Sequence, residues 1–293
     1  MKVLVTGGAG NVGRWVVQEL VGRGHAVTVG GRKLDRKIDD ARYVSLEMTD
    51  LSDVVLKTRG FERVIHLAAL PGPIQGEDHR VFDINCRGTF HLYEACALNG
   101  IPKIAVASSL CFLGQHFGIK PIAVKYFPID EGHPGFATDA YSFSKQVSES
   151  IALYAWNRYA ISSVQLRIPR VVEPTERNAE AFRAARREGR LLESASDFWC
   201  LIDSRDSARA FALGIEAPYE GSYPLFVNDR ANCLGLPTRE LAARYYPEVR
   251  DWRAPLEGDE SLIACGKAME VIGWEPAFSW KGVAGGGPLP GIR

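Results

Sequence analysis

The sequence carries no excess charge of either sign, no long apolar run and no cysteine cluster. Lysine and arginine total 35, and aspartate and glutamate also total 35. A nucleic-acid binder carries a basic excess as its electrostatic footprint, so this balance excludes that partner class. No apolar stretch approaches the roughly 20 residues that cross a bilayer. The cysteines Cys86, Cys96, Cys111, Cys200, Cys233 and Cys265 form no C-x-x-C pair, and no histidine cluster accompanies them. That spacing argues against a zinc or other metal site. Free cysteines in apolar surroundings act as small hydrophobes. Met1-Lys2-Val3-Leu4-Val5 is too short to read as a signal peptide, and a reducing cytoplasm is the expected compartment. Repeats and low-complexity tracts are also missing. With 46% apolar and 24% charged residues, the chain is expected to bury an ordinary globular core.

Short apolar runs alternate with helical patterns. The expected strands are Val3–Val5, Ala26–Val29, Arg63–Leu67, Lys103–Ala107 and Ser163–Arg167. The expected helices are Val12–Gly22, Leu51–Thr58, Val81–Leu98 and Tyr141–Tyr159. Such alternation predicts βαβ units and a parallel sheet covered on both faces, an α/β fold. Beyond residue 168 the pattern loosens. Asn178–Gly189 reads as a helix and Trp199–Ile202 as a strand, with Asp203 or Asp206 capping the helix that follows.

The segment Val5-Thr6-Gly7-Gly8-Ala9-Gly10-Asn11-Val12-Gly13 joins the first strand to the first helix. Gly7 suits a tight turn, Gly10 a close backbone approach to a pyrophosphate, and Gly13 close packing of helix on strand. Asn11 and Val12 lie at the helix start, where free N–H groups and the positive dipole end favour phosphate. The strand–turn–helix context is the one this dinucleotide motif requires. An acidic residue after the second strand would bind ribose hydroxyls. Here the strand ends Val29-Gly30-Gly31-Arg32-Lys33. Arg32, with Lys33 beside it, can pair with a 2′-phosphate that a carboxylate would repel. The expected cofactor is therefore NADP(H) rather than NAD.

Tyr141 and Lys145 are four residues apart on a helical stretch and share one face. A tyrosine with pKa of about 10 is a poor base at neutral pH, and nearby positive charge lowers that value. Such a pair can move a proton to or from a carbonyl or alcohol oxygen. The spacing is common on ordinary helices and names no enzyme by itself.

As an ordered set, Thr6 to Gly13, His66-Leu67-Ala68-Ala69, Asn85, Ser108-Ser109 and Tyr141 to Lys145 resemble the extended short-chain dehydrogenase/reductase family. That family includes NAD(P)-dependent epimerases and dehydratases. The likeness covers most of residues 1–215, with a weaker match from Leu262 to Pro276. It implies a Rossmann-type doubly wound parallel sheet with a smaller, partly interleaved C-terminal substrate domain. Residues 1–168 would form the NADP-binding domain, with 198–217 returning to it. Residues 169–197 and 218–284 would form the substrate-binding cap, and 285–293 a loose tail. The resemblance also implies a homodimer through the Val81–Leu98 and Tyr141–Tyr159 helices.

Carried over residue by residue, the resemblance assigns Ser109, Tyr141 and Lys145 to catalysis. Counting back from Gly114 selects Ser109 over Ser108. Ser109 would polarise the substrate oxygen, Tyr141 would act as acid/base, and Lys145 would lower the Tyr141 pKa and hold the nicotinamide ribose. Asn85 would support the site. Leu67, Ala68 and Ala69 would line the cofactor, Glu47 and Met48 would approach the adenine, and Ile168 would pass the nicotinamide amide. His116 and Arg170 are candidate substrate contacts. The arginines Arg170, Arg177, Arg183, Arg186 and Arg187 could bind an anion, but the interspersed glutamates favour a solvated helix.

Three departures narrow the reading. Gly31-Arg32 replaces the acid that NAD-holding epimerases carry. Leu110-Cys111 replaces the Asp-Glu pair of the nucleotide-sugar dehydratases. Arg170 stands where epimerases have a substrate-binding asparagine. The leading expectation is an NADP(H)-dependent oxidoreductase acting on a carbonyl or secondary alcohol of a small molecule, of sugar or sugar-acid type. The alternatives are a nucleotide-sugar 4-epimerase and a non-enzymatic NADP-binding redox sensor.

Overall fold

The computed structural model describes residues 1–32, 34, 37–120 and 122–284. Lys33 and the tail 285–293 lie outside the described residues. The N-terminal half runs β1 (Lys2–Thr6), α1 (Asn11–Gly22), β2 (Ala26–Gly31), β3 (Arg42–Ser45), α2 (Leu51–Thr58) and β4 (Arg63–His66). Next come α3 (Asp78–Phe82), a π-turn (Asp83–Arg87), α4 (Gly88–Leu98), β5 (Lys103–Ser109), β6 (Tyr126–Phe127) and α5 (Ala140–Tyr159). The remainder is β7 (Ser162–Ile168), β8 (Arg170–Val172), α6 (Glu176–Arg187), β9 (Leu201–Asp203) and α7 (Ser204–Glu216). It closes with β10 (Ser222–Phe226), α8 (Thr238–Tyr245), β11 (Asp251–Trp252), α9 (Gly266–Ile272) and α10 (Lys281–Ala284).

Seven parallel strands form one sheet in the order β10-β7-β5-β4-β1-β2-β3. Successive residues of a strand point to opposite faces, and β1 shows the consequence. Val3 and Val5 pack with Val16 and Leu20 of α1 and Phe211 of α7. Leu4 packs on the other face with Val54 of α2, Leu92 of α4 and Ala152 of α5. Both faces are dry, which is why β1 reads as an unbroken apolar run. Strand order reverses about β1, whose register partners are β2 on one side and β4 on the other. In open α/β sheets a ligand crevice forms at the C-terminal strand ends beside such a reversal, here after Thr6 and His66.

A third apolar cluster gathers Phe127, Phe182, Phe198, Trp199, Tyr246 and Trp280. Its members run from Leu110 to Val283, and it is a cluster separate from the two that flank β1. The short parallel pairs β8–β9 and β6–β11 form two small sheets separate from the main one.

The structure departs from the expected elements in several places. Strands β3 and β10 were not legible because both are sheet edges. Arg42-Tyr43-Val44-Ser45 is half polar, and β10 contains Pro224, which only an edge tolerates. Strand β10 comes from residues 218–284, the stretch read as cap, yet it pairs with β7 in the main sheet. The single helix Val81–Leu98 is instead α3, a π-turn and α4. Trp199 has φ of 50°, so the strand expected from Trp199 begins only at Leu201. Asp203 caps α7, accepting from the Arg205 N–H at 2.9 Å. Asp206 instead accepts the Ala277 and Phe278 N–H groups at 2.9 and 2.8 Å.

Helix α5, which carries Tyr141 and Lys145, starts at a polar cap. The Asp139 carboxylate accepts the Ser142 N–H at 2.8 Å, satisfying one of the orphan donors of the first turn. The helix ends where Ala160 turns left-handed at φ 55°.

Candidate active site

The glycine turn is built by backbone contact. Gly7 has φ of 71°, a region that disfavours any side chain. A Cβ on Gly13 would lie 2.4 Å from the Gly7 carbonyl oxygen and 2.6 Å from the Gly8 Cα. Only glycine lets α1 approach β1 this closely. No acidic residue sits in the first turn of α1, so its positive end faces the crevice uncompensated from within the helix.

This turn opens a cleft of about 630 Å³. Its walls are Gly7, Gly10, Asn11, Val12, Gly13, Arg32, Glu47, Met48, Leu67, Ala68 and Ala69, all singled out from sequence. Ala9, Gly30 and Gly31 of the two strand ends line it as well, together with Leu46, Pro71 and Ile84, which went unremarked. At the β2 end no carboxylate occupies positions 30 to 32. The Arg32 guanidinium is exposed and stands 3.9 Å from the Glu47 carboxylate. The glycine cradle, the helix N-terminus and an arginine at the rim together fit a phosphorylated dinucleotide. The Arg14 guanidinium of α1 is ion-paired with Glu173 after β8, which ties the turn to the C-terminal half.

A buried hydrogen-bond chain runs beneath the cleft, and its protons can be placed from chemistry. The Thr89 hydroxyl donates to the Asn85 carbonyl at 2.6 Å. Having spent its proton, it can only accept from His66 Nε2, 3.1 Å away. Nε2 therefore carries the imidazole proton. Nδ1 is bare and accepts from the Thr6 hydroxyl at 2.7 Å. Thr6 Oγ1 in turn accepts the Ala68 N–H at 3.3 Å. This assignment requires a neutral ring, and burial, followed by the Lys145 charge, pulls the His66 pKa down to about 3.

Asn85 extends the chain. The π-turn points its amide inward, where Oδ1 accepts the Leu70 N–H at 2.8 Å. Its Nδ2 donates to the Leu70 carbonyl at 3.1 Å and to Ser144 Oγ at 3.0 Å. Ser144 then donates to the Tyr141 carbonyl at 2.7 Å. A π-turn inside a helix frequently marks a functional position.

The second group sits at the ends of β5 and β7 and the start of α5. Ser109 ends β5 and is in register with Ile168 of β7. Its hydroxyl oxygen accepts the Cys111 N–H at 3.1 Å, and it lies near enough to the Tyr141 phenol to pull that group's pKa down. Lys145 Nζ donates to the Ala107 carbonyl at 2.8 Å and lies 5.4 Å from the Tyr141 ring centre. Glu149 follows one turn later on the same face. It accepts from Arg167 at 3.0 and 2.8 Å and from Ser108 Oγ at 2.6 Å. The two serines thus divide their work: Ser108 is committed to Glu149 and Ser109 faces Tyr141.

Electrostatics here differ from the sequence expectation in one respect. Burial is the largest influence on Tyr141 and pushes its phenol above the ordinary tyrosine value. The Ser109 hydrogen bond pulls the other way but does not prevail. Burial likewise pulls Lys145 down to about 8, against the opposing influence of Cys111, Cys86 and Glu149. Desolvation dominates both groups. Burial keeps the phenol protonated at neutral pH, rather than Lys145 lowering its pKa as expected.

The substrate candidates lie on the open side. Phe117 packs edge-on against Tyr141 at 5.7 Å, and His116 against Phe117 at 4.3 Å. His116 Nδ1 is 2.5 Å from Asp197 Oδ1. Asp197 was not foreseen. It is distant in sequence, and nothing in its local pattern marks it. Arg170 is exposed at the start of β8. The arginines of α6 are largely spoken for, since Arg183 pairs with Glu176 and Glu180, and Arg187 with Glu180. Among the described residues no cluster of His, Cys, Asp or Glu could hold a metal ion, and no helix is long and apolar enough to cross a membrane.

The profile of the NAD dependent epimerase/dehydratase family matches residues 3–227. The chain belongs to that family. It is similar to L-arabinose 1-dehydrogenase (NAD(P)(+)) of Haloferax volcanii, with 29% identity over 57% of this chain and 66% of the relative. It is also similar to uronate dehydrogenase of Pseudomonas syringae pv. tomato, at 24% over 57% of this chain and 58% of the relative. Among solved structures, Thermus thermophilus UDP-glucose 4-epimerase in complex with NAD superposes with a TM-score of 0.67. Identity is 27%, and 97% of each chain is covered. The alignments span about half to two thirds of the curated relatives' own length.

The His66 assignment has a pH consequence. The native ring stays neutral down to about pH 3, whereas an unfolded histidine gains a proton near its ordinary value of about 6.5. Between those limits the unfolded state binds more protons, so stability falls as pH drops, by up to about 1.4 kcal/mol per unit from this group. In urea unfolding between pH 6 and 4, His66→Asn is expected to show a shallower decline than wild type. An identical slope would count against a buried neutral imidazole.

Proposed function

We propose that this chain is an NADP(H)-dependent oxidoreductase interconverting a carbonyl and a secondary alcohol on a sugar or sugar acid. The observation that carries the proposal is the meeting of Ser109 with Tyr141, one turn from Lys145, beside a glycine-built cleft ending at Arg32. When bound, a nicotinamide supplies or accepts the hydride. Tyr141, protonated at neutral pH, gives its proton to the carbonyl oxygen during reduction and takes one back during oxidation. Ser109 holds that oxygen by a hydrogen bond. Lys145 supplies positive charge beneath the phenol and a donor toward the ribose. Asn85 fixes the Leu70 loop against α5, and Ile168 closes the nicotinamide end. The stretches 169–197 and 218–284 contribute the substrate side, with His116 and Arg170 as contacts.

Relatives of both dehydrogenase and epimerase type match this chain. The Arg32 position favours net oxidation or reduction with exchangeable NADP(H), since a 2′-phosphate can be paired there. A UDP-sugar 4-epimerase is the second reading, favoured by the fold and identity shared with the Thermus thermophilus enzyme. We also infer a homodimer through α4 and α5. Phe82 and Phe143 stack at 5.9 Å and Phe90 and Tyr154 at 6.1 Å, all four rings exposed on one surface. An aromatic patch of this kind suits a protein interface.

Tyr141→Phe is expected to abolish turnover while NADPH binding, followed by fluorescence, stays near the wild-type value. Retained turnover would remove Tyr141 from the mechanism. Arg32→Ala is expected to weaken NADPH about tenfold or more and NADH far less, since a charge-assisted pair contributes about 1.5–3 kcal/mol. Equal losses for both cofactors would contradict a 2′-phosphate contact.

A further inference from the structure

We propose that Glu47 limits the cofactor selectivity of this chain by holding Arg32, so that a 2′-phosphate must displace a carboxylate before it is paired. This rests on the reading of the glycine-built cleft as an NADP(H) site.

The two residues meet because two parallel strands end side by side. Strands β2 and β3 are in register at Gly31 and Ser45. The Leu46 N–H donates to the Gly31 carbonyl at 3.2 Å and closes the ladder. Arg32 is the next residue on one strand and Glu47 follows Leu46 on the other. Both line the cleft of about 630 Å³. Their charged groups stand 3.9 Å apart across its rim, each open to solvent.

The pair is asymmetric, because only the carboxylate is anchored. Glu47 Oε1 accepts the Thr49 N–H at 3.0 Å and the Thr49 hydroxyl at 2.7 Å. The Glu47 N–H donates to Asp53 Oδ2 at 2.8 Å, and its carbonyl accepts the Asp50 N–H at 3.2 Å. Oε2 is left facing Arg32. The Arg32 side chain is long and 56% exposed. Glu47 is its one ion-pair partner among the described residues. Arg32 is therefore the member that can swing to a phosphate oxygen, while Glu47 stays where it is.

The neighbouring charges leave this contest to the two residues. The Thr49 hydrogen bonds, with help from Arg32 and Arg87, pull the Glu47 carboxyl below its ordinary value, so it is ionised at neutral pH. Arg87 on the π-turn is itself paired with Asp83 at 2.8 Å. Asp53 brings a further carboxylate to the Glu47 backbone. A 2′-phosphate, nearly doubly charged at neutral pH, thus meets an arginine already shared with a fixed anion. A 2′-hydroxyl carries no charge and does not compete for Arg32. Ion pairs between exposed groups are weak and screened by salt, so the restraint is modest and confined to the phosphorylated cofactor.

The test is binding, read by nicotinamide fluorescence, and needs no turnover. NADPH and NADH are titrated into the full chain and into Glu47→Gln, Arg32→Ala and the double variant. Glutamine keeps an oxygen for Thr49 and removes only the charge. Glu47→Gln is expected to tighten NADPH about two- to fivefold and to leave NADH within about twofold, the scale of an exposed ion pair. Raising salt from about 0.02 to 0.5 M should erase most of that gain. In the Arg32→Ala background, Glu47→Gln should have little effect, because no arginine is left to release. NADPH binding unchanged in Glu47→Gln, with Arg32→Ala still selective against NADPH, overturns this proposal alone. An equal gain with and without Arg32 also overturns it, since the carboxylate would then repel the phosphate directly. Equal losses of both cofactors in Arg32→Ala overturn the NADP(H) reading, and this proposal with it.

Discussion

The arrangement depends on one neutral histidine. His66 sits under the cleft between two threonines, and its neutral tautomer, with the proton on Nε2, matches the directions of the Thr89 and Thr6 hydrogen bonds. On one side that chain reaches Thr6, the last residue before the glycine turn. On the other it reaches Asn85, and through Ser144 the first turn of α5. The phosphate cradle and the Tyr141 helix, separated by most of the N-terminal half in sequence, are thereby referred to the same fixed points. A protonated ring would turn the Nδ1 contact round, with Nδ1–H donating and the Thr6 hydroxyl losing the acceptor for its own proton. A fully satisfied buried network of this kind specifies one geometry, and a partly satisfied one is costly.

The same dryness shapes the chemistry. Burial raises the Tyr141 phenol and lowers the Lys145 ammonium, so both are biased toward neutral forms. Tyr141 is thereby a proton donor at rest, suited to carbonyl reduction. Taking a proton from an alcohol demands additional positive charge at the site, which an oxidised nicotinamide carries. The Glu149–Arg167 pair below is buried and bidentate, and Ser108 completes it. Breaking one partner of such a pair costs about 3–5 kcal/mol, while Lys145 itself is held by the Ala107 carbonyl. The opposite side is wetter, and there His116 pairs with Asp197 while Arg170 stands exposed.

Much of this was legible in the sequence, and the reasons are physical. The sheet's central strands are dry on both faces and therefore unbroken in apolar residues, while the edge strands β3 and β10 are not and escaped notice. The glycine spacing was readable because Gly7 needs a left-handed φ and Gly13 a missing Cβ. Tyr141 and Lys145 were readable because helix periodicity places them together. The π-turn at Asn85 left no pattern, since it interrupts a segment whose residues read as one continuous helix. Asp197 was invisible because its partner is distant in the chain. The Lys145 effect on Tyr141 was overestimated because spacing shows proximity but not desolvation.

The central claim is net hydride transfer with NADP(H) at the Tyr141 cleft. The direct test is a panel of neutral aldoses, uronates and UDP-sugars with NADP+, followed at the NADPH absorbance, with NAD+ run in parallel. The account predicts stoichiometric NADPH formation with at least one sugar or sugar acid, faster with NADP+ than with NAD+. Interconversion of UDP-sugars without net NADPH formation would contradict it.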